Sequence, residues 1–151
     1  MVSSETTLFD LSVYDGSGKL IMVAGVKGHP FNKGDLVHLR KMLNRFHEPV
    51  PFAMLVNADS IRIFRWDGRK ISKPLCVLPT QQVVKYYSPS YDREQLSEFF
   101  LVTSIESWLR DLNSHWKSES PPYAECLKEI GLLPLMEGGF TEREVIETPT
   151  Y

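Results

Sequence analysis

The chain has no long apolar run, no phosphate-cradling glycine loop and almost no cysteine. Its apolar stretches fall short of the roughly 18 residues that cross a bilayer, so no membrane-spanning helix is predicted. Neither GxxxxGK(S/T) nor GxGxxG occurs, and Gly16-Ser17-Gly18 reads as a turn rather than a nucleotide loop. Cys76 and Cys126 lack CxxC spacing, which excludes a paired-cysteine metal or redox motif; they read as reduced core thiols. The start, MVSSETTLFD, has neither the basic opening nor the apolar stretch of a signal peptide, so the expected location is the cytoplasm. No GxSxG elbow appears, and neither cysteine has a recognisable catalytic partner. His29, His38 and His47 are nine residues apart. On a helix that spacing advances about 900°, so successive members fall on opposite sides and cannot converge on a metal. His115 reads as a polar helix-end residue.

What is present fits one domain. With 151 residues, 42% hydrophobic and 24% charged, the chain is long enough and apolar enough to bury a core. Residues 1–133 are predicted to form a single domain. Residues 134–151, acidic, glycine-containing and aperiodic, read as an extended or disordered tail. The net charge of −2 conceals an asymmetry. Between Lys27 and Lys73 ten basic residues face four acidic ones, +6, while the remainder carries −8. Such a split points to nucleic-acid contact by the basic part, or to acidic helices covering a basic sheet layer.

Leu11 to Tyr14 and Lys19 to Val26 are rich in β-branched and large apolar residues, with turn residues Asp15-Gly16-Ser17-Gly18 between them. A turn centred near Ser17 pairs Tyr14 with about Leu20 and sets Asp10 opposite Ala24 or Gly25. His29-Pro30-Phe31-Asn32 ends the strand, with Asn32 capping a helix whose Leu36, Leu39, Leu43 and Phe46 face the sheet. Lys33, Arg40, Lys41 and Arg45 then point outward. Phe52 to Val56 is a continuous apolar run, buried on both faces and reached by a parallel crossover. Ile61 to Trp66 gives a further strand. Trp66 reads as a core or rim residue more readily than as a base-stacking one. The predicted fold is mixed α/β, a central sheet of about four strands flanked by helices.

The second half is helical. Asp92-Arg93-Glu94-Gln95 has the pattern of a capping box. Phe99, Phe100, Ile105, Trp108, Leu109, Leu112 and Trp116 follow at helical intervals. This bulky stripe over 93–116 covers the sheet or supplies a homodimer interface. A short helix from Tyr123 to Ile130 ends before Gly131.

Phe9-Asp10 opens one strand, and Gly25-Val26-Lys27 closes the next. Positions 25 and 27 share a strand face, so a side chain at 10 could meet those at 25 and 27. This arrangement resembles the PD-(D/E)XK, restriction endonuclease-like superfamily, most closely the nuclease domain of type I restriction motor subunits. The resemblance covers residues 8 to 67. It implies that Asp10 is the metal-binding acid, Gly25 stands at the second acidic position, and Lys27 is the catalytic lysine. It further implies Mg²⁺, held weakly or not at all because glycine has no ligand atom. Members usually carry a helix and a strand ahead of the acidic strand, and only Glu5 stands where that helix often adds an acid. Asp35 and Glu48 are candidate replacements for the missing carboxylate. Asp10, Gly25 and Lys27 also read as a surface aspartate, a close-packing glycine and a snorkelling lysine. The favoured expectation is a catalytically impaired domain retained for nucleic-acid binding or regulation, through Lys33, Arg40, Lys41 and Arg45. The alternatives are an active Mg²⁺-dependent nuclease with a relocated acid, and a dimerising structural protein.

Overall fold

Asp15 fixes the first hairpin. Its Oδ1 accepts from the Ser17 N–H at 2.9 Å and the Lys19 N–H at 3.0 Å, and Gly18 takes the left-handed conformation that closes the turn. The computed structural model describes residues 9–92 and 97–144. The hairpin joins β1 (Leu11–Tyr14) to β2 (Leu20–Val26) in antiparallel register, Leu11 against Ala24 and Tyr14 against Leu20. The crossover helix α1 (Lys33–Leu43) begins at a capping box. Asn32 Oδ1 accepts from the Asp35 N–H at 3.1 Å, and Asp35 Oδ2 accepts from the Asn32 N–H at 2.9 Å. It delivers the chain to β3 (Phe52–Val56), parallel to β2 and buried along its whole length. Asn57 turns it into the antiparallel β4 (Ser60–Arg65) by accepting two backbone N–H bonds through Oδ1.

Beyond β4 come β5 (Cys76–Pro79), α2 (Thr80–Tyr87), α3 (Glu98–Ser114), α4 (Ala124–Glu129), α5 (Leu133–Met136) and β6 (Phe140–Arg143). The sheet order is β5-β4-β3-β2-β1-β6, with only the β2–β3 pair parallel. The mixed α/β expectation holds, with six strands among the described residues rather than about four. The two additional strands are four-residue edge elements, too short for a periodicity signal.

Alternation along the strands separates two cores. Met22, Ala24, Met54, Ile61, Ile63 and Leu78 face a layer built from α2, α3, α4 and α5. Val23, Ala53, Leu55, Phe64 and Trp66 face α1, through Leu39, Met42 and Leu43. Trp66 is therefore a core residue.

Several expectations are corrected. The supposed tail from residue 134 contains most of α5 and all of β6, which pairs with β1 from Leu11 against Arg143 to Tyr14 against Phe140. Residues 145–151 lie outside the described residues. Cys76 and Cys126 are joined in a disulfide that ties β5 to α4, not reduced thiols. The cap read at 92–95 lies largely outside the described residues; Ser97 caps α3 by accepting from the Phe100 N–H at 3.0 Å. The buried stripe of α3 keeps the predicted Ile105, Trp108, Leu109 and Leu112 and differs from the expectation at its ends. Leu101, Val102, Ile105, Trp108, Leu109 and Leu112 are buried, while Phe99 is 72% exposed and Trp116 56% exposed at the two ends. No helix among the described residues is long and apolar enough to cross a membrane.

Candidate functional site

The strand end that carries Lys27 meets the start of α1 on one face of the sheet and the start of α3 on the other. Strand register sets Asp10 one place beyond the Leu11–Ala24 pair, level with Gly25. The Asp10 carboxylate is engaged there through one of its oxygens. Its Oδ2 accepts from the Val26 N–H at 2.7 Å, while the Asp10 N–H donates to Ala24 O at 2.8 Å and its carbonyl accepts from Glu144 N at 2.9 Å. The side chain thus extends the β1–β2 ladder past the end of β1, a structural task that needs an acceptor. A bend at Asp10 turns Phe9 into the α1 side of the core, where it packs on Phe46, just past the end of the helix.

A small recess of about 10 Å³ on that side is lined by Phe9, Gly25, Lys27, Asp35, His38 and Leu39, among others. Asp35, not Asp10, is the acid that meets Lys27 and Gly25 there. It is buried, and both its oxygens are engaged, by the Asn32 N–H and by His29 Nε2 at 3.1 and 3.3 Å. Burial pushes the Asp35 carboxyl up. The Asn32 N–H, the His29 ring and the neighbouring Lys27 charge outweigh that, and it titrates below the ordinary carboxylate range. Glu48 lies instead in an exposed depression with His47 and Lys19. Glu5 lies outside the described residues.

These donors do not fit a magnesium ion held as the resemblance implies. Gly25 offers no atom, one oxygen of Asp10 is committed to Val26, and Asp35 is committed to its cap and to His29. Among the described residues no three His, Cys, Asp or Glu side chains gather closely enough to hold a metal ion.

Lys27 also lines a second depression of about 140 Å³, with His29, Asn57, Asp59 and Glu98. Glu98, in the first turn of α3, lies against Gly28. Sequence reasoning missed it because the start of that helix was set five residues earlier, which places Glu98 within the body of the helix rather than at its start.

The predicted basic residues fall where the helical period puts them. Lys33, Arg40, Lys41 and Arg45 are all exposed. The side chains of Lys33, Arg40 and Lys41 make no hydrogen bond or ion pair among the described residues. The one acid within α1, Asp35, is turned inward. The outer surface of α1 therefore carries cations without anions, a surface able to hold a polyanion by its charges alone. Comparison with known protein families, with curated proteins and with solved structures finds no match for this chain.

Proposed function

We propose that this chain is a non-catalytic domain of the restriction endonuclease-like type, retained to hold a nucleic-acid backbone along α1. The observation that carries the reading is the outer surface of α1, where Lys33, Arg40 and Lys41 stand exposed without acidic partners. Phosphate groups complete such a surface, and the counterions they release on binding supply the driving force.

Two further features support it. The resemblance implies a helix and a strand ahead of the acidic strand. Here β6 lies beside β1, and α3, earlier in the chain, packs against it through Glu106 and Arg143 at 2.8 Å. The C-terminal part of the chain thus sets a helix and a strand beside β1, the pair of elements the resemblance calls for. Glu98 of α3, lying by Gly28, is then the counterpart of the acid such a helix often lends. The loss of catalysis follows from Gly25 and from the bonds that occupy Asp10 and Asp35.

The test is binding to short duplex and single-stranded DNA and RNA, read by fluorescence anisotropy across a salt series. The logarithm of affinity should fall linearly with that of salt, and the Arg40→Gln, Lys41→Gln double variant should flatten the slope by about 2. Absence of binding at low salt overturns the reading. Cleavage in Mg²⁺ that is lost in both Asp10→Ala and Lys27→Ala overturns its non-catalytic half.

A further inference from the structure

The face of the sheet that carries α1 is only partly covered. Among the described residues α1 is the one helix on it, packed over β2 and β3. Beyond it, over β4, a groove of about 530 Å³ runs between the start of α1 and the segment 71–74. Its walls are Phe31, Leu36, Leu55, Phe64, Ile71 and Pro74. The volume lies within the range of small-molecule sites, roughly 300–1,000 Å³.

Three cations stand around this apolar channel, Lys33, Arg62 and Lys73. None has a carboxylate partner among the described residues. Arg62 is held in place by stacking on the Phe31 ring, 5.0 Å from its centroid, and by a 3.4 Å bond from Nε to Ser60 Oγ. Its two terminal nitrogens are left to donate to something else. The acceptor atoms of the other polar side chains in the groove are already engaged. Asn32 and Asp35 serve the cap of α1, and Ser72 Oγ accepts from the Arg65 N–H and donates to Lys73 O.

A ligand here meets hydrocarbon along its body and unpaired positive charge at one edge, with no uncommitted side-chain acceptor to pair with the donors of a hydrogen-bonding edge. That combination disfavours a nucleobase, whose edge needs paired donors and acceptors. It favours a compact amphiphilic anion. We infer that the groove between α1 and segment 71–74 binds a small molecule with an apolar or aromatic body and one carboxylate, sulfonate or phosphate group. Arg62 and Lys73 take the anionic group, and Phe31, Leu36 and Ile71 enclose the body. The groove shares Lys33 with the phosphate-holding surface, but its anion-binding pair, Arg62 and Lys73, is distinct from Arg40 and Lys41 on the later turns of the helix.

The experiment uses the full chain and three ten-carbon probes, decanoate, decanol and decylammonium, with anilinonaphthalene sulfonate as a fluorescent anion. Binding is followed by calorimetry below the micelle-forming range and by amide chemical shifts. The expected result is saturable one-to-one binding of the two anions, with shifts confined to 31–36, 55, 62–64 and 71–74. Decanol should bind at least tenfold more weakly, and decylammonium not at all. Arg62→Gln and Lys73→Gln should each weaken anion binding roughly tenfold. Both exchanges are at partly or fully exposed positions, so the fold is kept, and circular dichroism verifies it. Lys73→Gln should leave the contribution of Arg40 and Lys41 to nucleic-acid binding intact, so failure of either reading is distinguishable from failure of the other. Equal binding of decanoate and decylammonium, shifts elsewhere on the molecule, or no saturable binding overturns the inference.

Discussion

On one side of the sheet, α2, α3, α4 and α5 close over Met22, Met54, Ile61 and Ile63, and a disulfide fastens α4 to β5. On the other, α1 alone covers Val23, Ala53 and Leu55, and β5 presents Val77 57% exposed. Polar groups follow the same division. Buried Asp111 of α3 accepts from the Lys117 and Ser118 N–H groups and from the Tyr87 hydroxyl at 2.6 Å. Buried Asn113 receives Thr141 Oγ1 at 2.6 Å and donates to Met136 O at 2.8 Å. Glu106 holds both Arg110 and Arg143. On the α1 side, Lys33, Arg40, Arg62 and Lys73 have no acid to meet among the described residues. Charges satisfied internally stabilise or specify a fold, whereas charges left unsatisfied at a surface remain available to a ligand. On the proposed reading, the helical layer keeps the molecule folded and the α1 side holds the charges left for a ligand.

The sharpest way to break that division is to unfasten β6. An added Cβ at Gly139 would stand 1.9 Å from the Tyr14 carbonyl oxygen and 2.9 Å from its carbon, both backbone atoms. Gly139→Ala must therefore push β6 off β1. We expect a loss of about 3 kcal/mol or more, read from the midpoint of urea unfolding. A variant of unchanged stability would mean that the strand is not held as described, and the sealed side would lose its edge.

Asp111 gives a smaller effect with a pH signature. Burial raises its carboxyl, but the Tyr87 hydroxyl and the Lys117 and Ser118 N–H groups outweigh that and hold it below the ordinary range. A native value depressed below the unfolded value of about 3.9 stabilises the fold above that pH. The contribution disappears as pH falls through the native value. Burial, with the same contact second, drives the Tyr87 phenol far above its ordinary value, so stability should also decline once pH passes about 10, where the unfolded phenol ionises. Asp111→Asn retains the shape and turns one acceptor into a donor. It should cost about 1–2 kcal/mol at neutral pH and remove Asp111's share of the acid dependence. Chemical unfolding at a series of pH values measures both, and an unchanged acid limb would show that the carboxylate is not charged in the fold.

The sequence made one side of this comparison far more legible than the other. The hairpin register follows from a local turn, so Tyr14 against Leu20 and Asp10 level with Gly25 were within reach of turn chemistry and a period of two. The phase of α1 follows from Leu39 and Leu43 and from a cap three residues long. β3 announces itself as an unbroken apolar run. The sealed side depends instead on contacts between distant residues. β6 meets β1 across almost the whole chain, the Cys76–Cys126 pair spans 50 residues, and neither carries a local mark. The helix α3 is apolar on more than one side, so periodicity alone cannot choose between Phe99 and Leu101. The fold decides by setting the Arg143 guanidinium 5.3 Å from the Phe99 ring centre. Asp10 was legible as important, but not as a rung of the ladder, because a side chain substituting for backbone has no sequence pattern. The groove over β4 was half written in Ser60-Ile61-Arg62-Ile63-Phe64, where Arg62 must oppose its isoleucine neighbours. Its far wall comes from residues 71–74, whose return over the sheet no periodicity announces.

The smallest effect tests whether the α1 side is open in solution. Val77 sits on β5, an edge strand, and points away from the helical layer that buries its neighbours Cys76 and Leu78. A lysine there keeps its charge in water and also discourages edge-to-edge pairing of strands. If the face is free, Val77→Lys should change stability by less than about 0.5 kcal/mol and leave the sedimentation coefficient as it was. If a second copy of the chain covers the face, burying an unpaired ammonium would split the assembly, and the particle would shrink at equal concentration. That second outcome would turn the apparent excess of cations into one half of a protein contact, and the contrast between a folding side and a recognising side would have to be redrawn around an interface.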